Sequence, residues 1–443
     1  MRIDEIHIKN FKNFESKNFQ FNPQFTVIIG DNGTGKTAIL DALAVGLGCF
    51  LLGIGEAKSR SIKKEEIRLK DFGEHIEKQL PTIISLKASV LYHLKQLKIP
   101  YIPNIFEPNN PQEIPFPWFR SIEKPNGSNT SKGASEIADL ARKMAAFVRK
   151  GKTIDMPLIS YHGTGRLWIE KNKIETRAKG SRLENGYRAC LSPASNSKAF
   201  LEWFKTQELA VIQKKKDDTL LKVVKKAIAN CVKEWDEIYF DFEEDDLKGY
   251  NTTGIKNELA FSLLSDGVRN MIGMVADIAY RCVVLNPHLS IEATEKTRGV
   301  VLIDELDLHL HPKWQRHVVS DLKRAFPKLQ FIATTHSPFI VQSLKSDELI
   351  NLDKPTDESY YQQSLEEIVL ETMGVNSLNS ERYTKMLEVA KNYYAIIENG
   401  KNITNKSEAV EIKQRLDKML EPYYDNPAYV AVLQMERLTK LGM

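Results

Sequence analysis

Four short apolar runs punctuate this chain: Phe25-Thr26-Val27-Ile28-Ile29, Pro157-Leu158-Ile159-Ser160-Tyr161, Val300-Val301-Leu302-Ile303 and Phe331-Ile332-Ala333-Thr334-Thr335. Each is nearly continuous rather than alternating, the pattern of a strand covered on both faces, as in a parallel sheet. Each ends in small or polar residues: Gly30, His162-Gly163, Asp304-Glu305 and His336-Ser337-Pro338. Near the start, Ile6 and Ile8 alternate with His7 and Lys9, which predicts a half-buried strand. The longest apolar stretch, Ala42 to Gly55, falls short of the roughly 18 residues of a membrane span, and it follows a glycine-rich loop, so it predicts a buried core helix.

Between these runs the character changes. Lys58 to Lys64 is polar and basic, Pro81 to Leu94 predicts a strand, Pro100 to Pro117 reads as loop, and Glu123 to Ser135 as a mobile surface loop. Ser197 to Tyr239 predicts helices, and Met271 to Val284 is a strongly apolar helix. The end of the chain predicts four more helices, Ser364–Thr372, Ser380–Glu398, Ser407–Met419 and Pro427–Leu441, with Pro427 suited to a first helical position. No sustained heptad run supports a long coiled-coil arm.

Composition narrows this picture only a little. With Lys+Arg 62 against Asp+Glu 58 the net charge is +4, too small to argue for nucleic acid on its own. Cys49, Cys190, Cys231 and Cys282 are scattered, which predicts reduced thiols rather than a disulfide framework or zinc site. Without an apolar signal core at Met1-Arg2-Ile3-Asp4-Glu5, the chain reads as soluble, cytoplasmic and free of membrane contact.

Chemistry gathers where the apolar runs end. Gly30-Asp31-Asn32-Gly33-Thr34-Gly35-Lys36-Thr37 follows a strand and opens a helix, the setting a phosphate loop requires. The backbone of Asn32, Gly33, Thr34 and Gly35 would turn its N–H groups toward phosphates. Lys36 would place a charge on the β and γ oxygens, and Thr37 a hydroxyl on Mg²⁺. Asp304 at the next strand tip is suited to the metal shell, and Glu305 to the attacking water. Leu264-Ser265-Asp266-Gly267 precedes the Met271 helix. Ser265 is expected to cap that helix, and with Gly267 to expose an anion site far from the same chain's phosphate loop. His336 at a strand tip is suited to a γ-phosphate or its water. His309 and His311, two apart on a turn, are a poor chelating pair.

In this order the four motifs resemble the ABC-type ATPases of the SMC and RecF kind. The resemblance covers about residues 1–56, 157–169 and 258–345. It implies an α/β head, a mixed sheet flanked by helices, with an α-rich insertion and a helical C-terminal tail. The segments are then a first lobe at 1–56, an insertion at 57–156, a returning strand at 157–169, a helical insertion at 170–257, a second lobe at 258–350 and the tail at 351–443. It further implies ATP and Mg²⁺, and a head-to-tail dimer that clamps two ATP between Lys36 of one copy and Ser265 of the other. Asp307 would be the D-loop acid and His336 the switch. Where the family carries a Gln, this chain has Tyr161-His162-Gly163.

Three strings resemble a narrower family, the ATPase subunit of Septu-type anti-phage systems, also found beside retrons. They are Tyr161-His162-Gly163-Thr164-Gly165-Arg166-Leu167-Trp168, the run from Asp304 to Gln315, and Asp425-Asn426-Pro427-Ala428-Tyr429. That resemblance implies a small HNH nuclease partner and oligomers of two or more copies. The alternatives are an SMC/RecF-like DNA-repair ATPase and a nucleotide-gated scaffold with little turnover. No HNH or Toprim acid set is evident in the chain itself. Lys58–Lys64, Arg149–Lys152 and Lys214–Lys216 are the candidate contacts for DNA or RNA.

Overall fold

The four buried runs come together in one parallel sheet in the computed structural model. The structure describes residues 1–91, 113–125, 127–130, 132–167, 180–193, 197–214, 218–232, 235, 237–251, 258–354, 362–375, 380–398 and 406–420. In chain order the strands are β1 (Arg2–Phe11), β2 (Phe14–Gln20), β3 (Phe25–Ile29), β4 (Leu69–Asp71), β5 (Ile76–Lys78), β6 (Thr82–Leu91), β7 (Glu113–Ile122), β8 (Leu158–His162), β9 (Glu237–Asp241), β10 (Asp246–Tyr250), β11 (Leu259–Ala260), β12 (Gly299–Ile303), β13 (Leu329–Thr334) and β14 (Leu349–Asn351). The helices are α1 (Lys36–Ile54), α2 (Ser135–Arg149), α3 (Arg182–Tyr187), α4 (Ser197–Lys214), α5 (Thr219–Cys231), α6 (Asp266–Leu285), α7 (Ala293–Lys296), α8 (Pro312–Gln315), α9 (Val318–Ala325), α10 (Pro338–Gln342), α11 (Leu365–Glu367), α12 (Glu381–Glu398) and α13 (Lys406–Leu420).

The parallel sheet has the order β14-β3-β13-β12-β8. Ile303 of β12 lies opposite His162 of β8 and Ala333 of β13, and Thr334 lies opposite Ile28 of β3. This register brings the C-terminal ends of the strands to one edge, where ligands of open α/β sheets bind. Residues of β3, β8, β12 and β13 are buried throughout, as expected of strands covered on both sides. Phe25 and Phe331 stack across adjacent strands at 5.3 Å.

A second, antiparallel sheet has the order β2-β1-β6-β7. Ile6 and Ile8 point inward as their alternation predicts, and a register shift between Ile3 and Glu5 brings Ile3 to the same side. Helix α1 contacts strands of both sheets and is buried almost all round, which is why its sequence is apolar on every face. It is long and apolar enough to cross a membrane by composition, yet 83% of the relevant window is buried inside the protein. Trp118 of β7 donates its indole N–H to the Gly46 carbonyl of α1 at 2.8 Å.

Because β6 and β7 extend the sheet of β1, that sheet crosses the expected boundary at residue 56. The segment 57–156 therefore supplies strands to the first lobe as well as helix α2. β7 runs through Pro115 and Pro117, residues that read as loop in the sequence. It lies at the sheet edge, where a missing N–H is tolerated. Within Ser197 to Tyr239 the described helices are α4 and α5, the latter ending at Cys231, and β9 then opens a small antiparallel sheet ordered β11-β10-β9.

The contacts divide the chain into Met1–Ile368 and Val369–Met443. Within the second unit α12 and α13 pack together through Met386, Ala390 and Leu416, flanked by Tyr383, Leu387 and Ile412. The helix expected at Pro427–Leu441 and the Asp425–Tyr429 string lie outside the described residues, as do Trp168, Lys215 and Lys216.

A compact charge network ties α1 to the loop that follows it. Asp41 of α1 accepts a hydrogen bond from Arg60 at 2.5 Å and pairs with Lys12, and Arg60 also holds Glu66 at 2.7 Å. Burial pushes the Asp41 carboxyl up, but Arg60 and Lys12 outweigh it and hold its pKa below the ordinary value. Burial also opposes the Arg60 charge, yet Asp41 and Glu66 raise its pKa. A depressed carboxyl pKa stabilises the fold above the unfolded value, and that stability is lost as pH falls through the folded one. Asp41→Asn should therefore cost about 1–3 kcal/mol at neutral pH by leaving Arg60 and Lys12 with Glu66 as their shared carboxylate, and should flatten the acid limb of stability. Urea titrations at several pH values check both; an unchanged midpoint would contradict the network's role.

Candidate active site

The phosphate loop leaves β3 and enters α1 through residues whose backbone conformation is set by glycine. Gly35 is the N-cap of α1 with φ +106°, and a Cβ there would lie 2.7 Å from the Phe14 ring, so only glycine fits. No side chain caps α1, which leaves the first N–H groups of the helix for a ligand. Asn13 donates to the Gly33 carbonyl at 2.5 Å, and the Thr34 hydroxyl to the Asp31 carbonyl at 2.9 Å, so the loop is braced from outside and within. Asn32 and Gly33 are exposed.

Lys36 curls over this loop. Its Nζ donates to the carbonyls of Gly30 at 2.6 Å and Asp31 at 2.9 Å, and the residue is 8% exposed. Burial lowers the Lys36 pKa, while the nearby charges of Asp353, Asp304, Asp31 and Glu305 work against that shift. A bound phosphate would add a further negative charge beside an ammonium that burial disfavours.

The Thr37 hydroxyl lies 3.2 and 3.0 Å from the two carboxylate oxygens of Asp304, joining the start of α1 to the tip of β12. Thr334 of β13 donates to Asp304 Oδ1 at 2.7 Å, and its own oxygen accepts from the Glu305 backbone N–H at 2.8 Å. The oxygens of Thr37 and Asp304 are the hard donors that Mg²⁺ takes, and they are already adjacent. Glu305 stands at φ +50°, a conformation rare for a side-chain-bearing residue, where the chain leaves the sheet.

Asp307 accepts from the Thr335 hydroxyl at 2.5 Å and from the His336 backbone N–H at 3.3 Å, so the turn after β12 is bound to the end of β13. His336 itself is exposed at that strand tip. Ser337 caps α10 and donates to Gln315 at 2.6 Å. His311 serves its own helix, since its Nδ1 accepts from the Lys313 backbone and caps α8.

Ser265 holds the N-cap backbone position of α6, but its side chain makes no capping hydrogen bond, contrary to the expectation from sequence. The residue is exposed. Gly267 packs against the turn after β12, where a Cβ would fall 2.1 Å from the His309 carbonyl oxygen. Asn270 adds a hydrogen bond to the Leu308 carbonyl at 3.2 Å. The structure thus gathers Lys36, Thr37, Asp304, Glu305, Asp307 and His336 along one sheet edge, and sets Ser265 and Gly267 on the α6 terminus beside the 307–310 turn.

His162, at the position where a Gln was expected, is 7% exposed. Its Nε2 shares a hydrogen bond with the Ser160 hydroxyl at 2.9 Å and lies 3.8 Å from Asp277 of α6, which in turn binds Arg281 at 2.8 Å. Its carbonyl accepts from the Asp304 N–H at 2.8 Å. The imidazole is thus hydrogen-bonded within β8 and faces the Asp277 carboxylate of α6.

The basic stretches proposed for nucleic acid are partly spent inside the fold. Arg60 is bound to Asp41 and Glu66, Arg149 to Glu56 at 3.0 Å, and Lys152 stands over the Phe147 ring. All four cysteines are free and buried, and burial pushes Cys190, Cys231 and Cys282 up to about 12.

Residues 1–341 match the family described as the AAA ATPase domain. The chain belongs to this family. Its members are ATPases. Relatives extend the likeness over nearly the whole chain. A retron Vc95 probable ATPase from Vibrio cholerae is 23% identical over 94% of this chain and 87% of its own. A retron Ec83 probable ATPase from Escherichia coli is 25% identical over 88% and 80%. The Septu protein PtuA of Bacillus mycoides is 26% identical over 94% of this chain and 50% of its own length.

Thr334 escaped the sequence reading, because its role rests on a neighbouring strand. The signal was available only as the pairing of two strand ends. Lys36→Ala should abolish nucleotide binding in equilibrium dialysis, since Lys36 is the ammonium that covers the loop carbonyls; retained affinity would contradict this. Thr334→Val should cut kcat about tenfold or more and raise the Mg²⁺ requirement, because it removes one hydrogen bond from the Asp304 carboxylate and one from the Glu305 N–H. A metal titration of turnover reads the effect.

Proposed function

We propose that this ATPase is the ATP-hydrolysing subunit of a cytoplasmic anti-phage defence complex. In this reading two copies close head to tail around two ATP and control a small HNH nuclease partner. The observation that carries the defence reading is the extent of the likeness to retron and Septu ATPases. It covers 94% of the chain, beyond the residue at which the ATPase-domain match stops.

The site geometry supports the chemistry. Lys36 and the loop N–H groups hold the β and γ phosphates, and Thr37 and Asp304 hold Mg²⁺, which neutralises phosphate charge when bound. Glu305 orients and deprotonates the attacking water. His336, exposed at the next strand tip, donates to the γ-phosphate oxygens. Ser265 supports the two-copy reading, because its hydroxyl is exposed and unused as a cap, at a helix terminus that a partner's phosphate could meet. Asp307, tied to Thr335, carries the contact between the two pockets.

Two experiments test this. Glu305→Gln should bind ATP, hold the closed dimer in size-exclusion chromatography and lose turnover by about 10² or more; rapid turnover would remove Glu305 from its role. Mixing Lys36→Ala and Ser265→Arg subunits, each inactive alone, should restore about a quarter of wild-type activity, because half the dimers then carry one intact composite pocket. An inactive mixture would rule out the shared site. For the defence reading, co-expression with the nuclease should protect cells from phage only with Glu305 intact.

A further inference from the structure

Strand β14 ends beside the phosphate loop, and a carboxylate just past its end reaches that loop. β14 runs parallel to β3 with Asn351 opposite Ile29, and the Leu352 N–H donates to the Ile29 carbonyl at 3.0 Å. The Asn351 side chain then turns the chain, its oxygen accepting from the backbone N–H of Asp353 at 3.0 Å and of Lys354 at 3.3 Å. Past this turn, Asp353 Oδ2 accepts from the Asp31 N–H at 2.7 Å. Gly30 leaves room for the approach. Its φ is +152°, and a Cβ there would lie 3.1 Å from the Leu352 Cβ and 3.3 Å from Asp353 Oδ2.

The Asp31 N–H and the Gly30 carbonyl belong to one peptide group. Asp353 holds its nitrogen end, and Lys36 Nζ donates to its oxygen end at 2.6 Å. A carboxylate on the N–H polarises the peptide and makes its carbonyl a better acceptor. Lys36 also donates to the Asp31 carbonyl at 2.9 Å. An ammonium has three N–H donors, so two bonds to the loop set where the third can point. Burial opposes the Lys36 charge, and Asp353 comes first among the acids that favour it, ahead of Asp304, Asp31 and Glu305. Asp353 lies beyond residue 341, where the ATPase-domain match ends.

We infer, on the reading of Lys36 as the phosphate-binding cation, that Asp353 is a positioning residue of the ATPase reaction. It fixes the Gly30–Asp31 peptide, and through that peptide it aims the Lys36 ammonium at the phosphates. A carboxylate in this place also repels those phosphates, which a neutral amide would not.

Two substitutions in the full chain separate the hydrogen bond from the charge. Asp353→Ala removes the acceptor and should lower kcat about fivefold. Asp353→Asn keeps an oxygen for the Asp31 N–H and should restore kcat to within about twofold of wild type. Its Kd for ATP in equilibrium dialysis should fall about fivefold at roughly 20 mM salt, with the gain shrinking at roughly 300 mM. A side chain that only braces the loop would leave the Asp353→Asn affinity at the wild-type value. Wild-type kcat in Asp353→Ala, an equal loss in Asp353→Asn, or no tightening in Asp353→Asn at low salt would each overturn the assignment. Lys36→Ala is the reference: undiminished ATP binding there would remove the reading of Lys36, whereas lost binding there beside silent Asp353 variants would remove the role of Asp353 alone.

Discussion

The register of five parallel strands is the constraint on which the site depends. Pairing of Ile303 with His162 and Ala333 brings Asp304, His162 and Thr334 to one level, and the adjoining β3 ends there in the phosphate loop. A slip of one residue in β12 would turn Asp304 to the other face. The slip is opposed from both sides: Asp304 donates its N–H to the His162 carbonyl, and its carboxylate receives the Thr37 and Thr334 hydroxyls. The hydrogen bonds that fix the strand are therefore the ones that shape the metal position.

Helix α1 transmits that order outward. Its first turn carries Lys36 and Thr37, and one turn later Asp41 anchors Arg60 and Lys12. A charged residue on so apolar a helix is held by opposite charges from the loop and from the β1–β2 turn. Tyr161 also reaches Asp41 at 3.4 Å, and burial pushes its phenol pKa far up, so it acts there as a neutral donor. The β1–β2 turn, the loop after α1 and β8 thus meet at a single carboxylate.

Much of this was legible in the sequence, since continuous apolar runs and a glycine-spaced loop are local signals. The strands at Phe25, Leu158, Val300 and Phe331 and the helix after Lys36 required nothing distant. β7 was hidden because its prolines argue against a strand unless one knows it lies at an edge. Ser265 has the right residue type for a cap, yet its hydroxyl makes no capping bond, a detail that spacing does not encode. His162 and Asp277 meet only once α6 is packed on β8, so the partner of that histidine could not be read from its neighbours. Arg60 sits in a basic run that reads as a candidate nucleic-acid contact, and only the fold shows two carboxylates around it.

One further feature sets how the chain can be controlled. Every sulfhydryl is enclosed, and its thiolate form is suppressed by the apolar surroundings. Peroxide and electrophiles act on thiolates that solvent can reach. The folded molecule consequently offers them no cysteine target, and an oxidative burst in a stressed cell would leave its cysteines as they were.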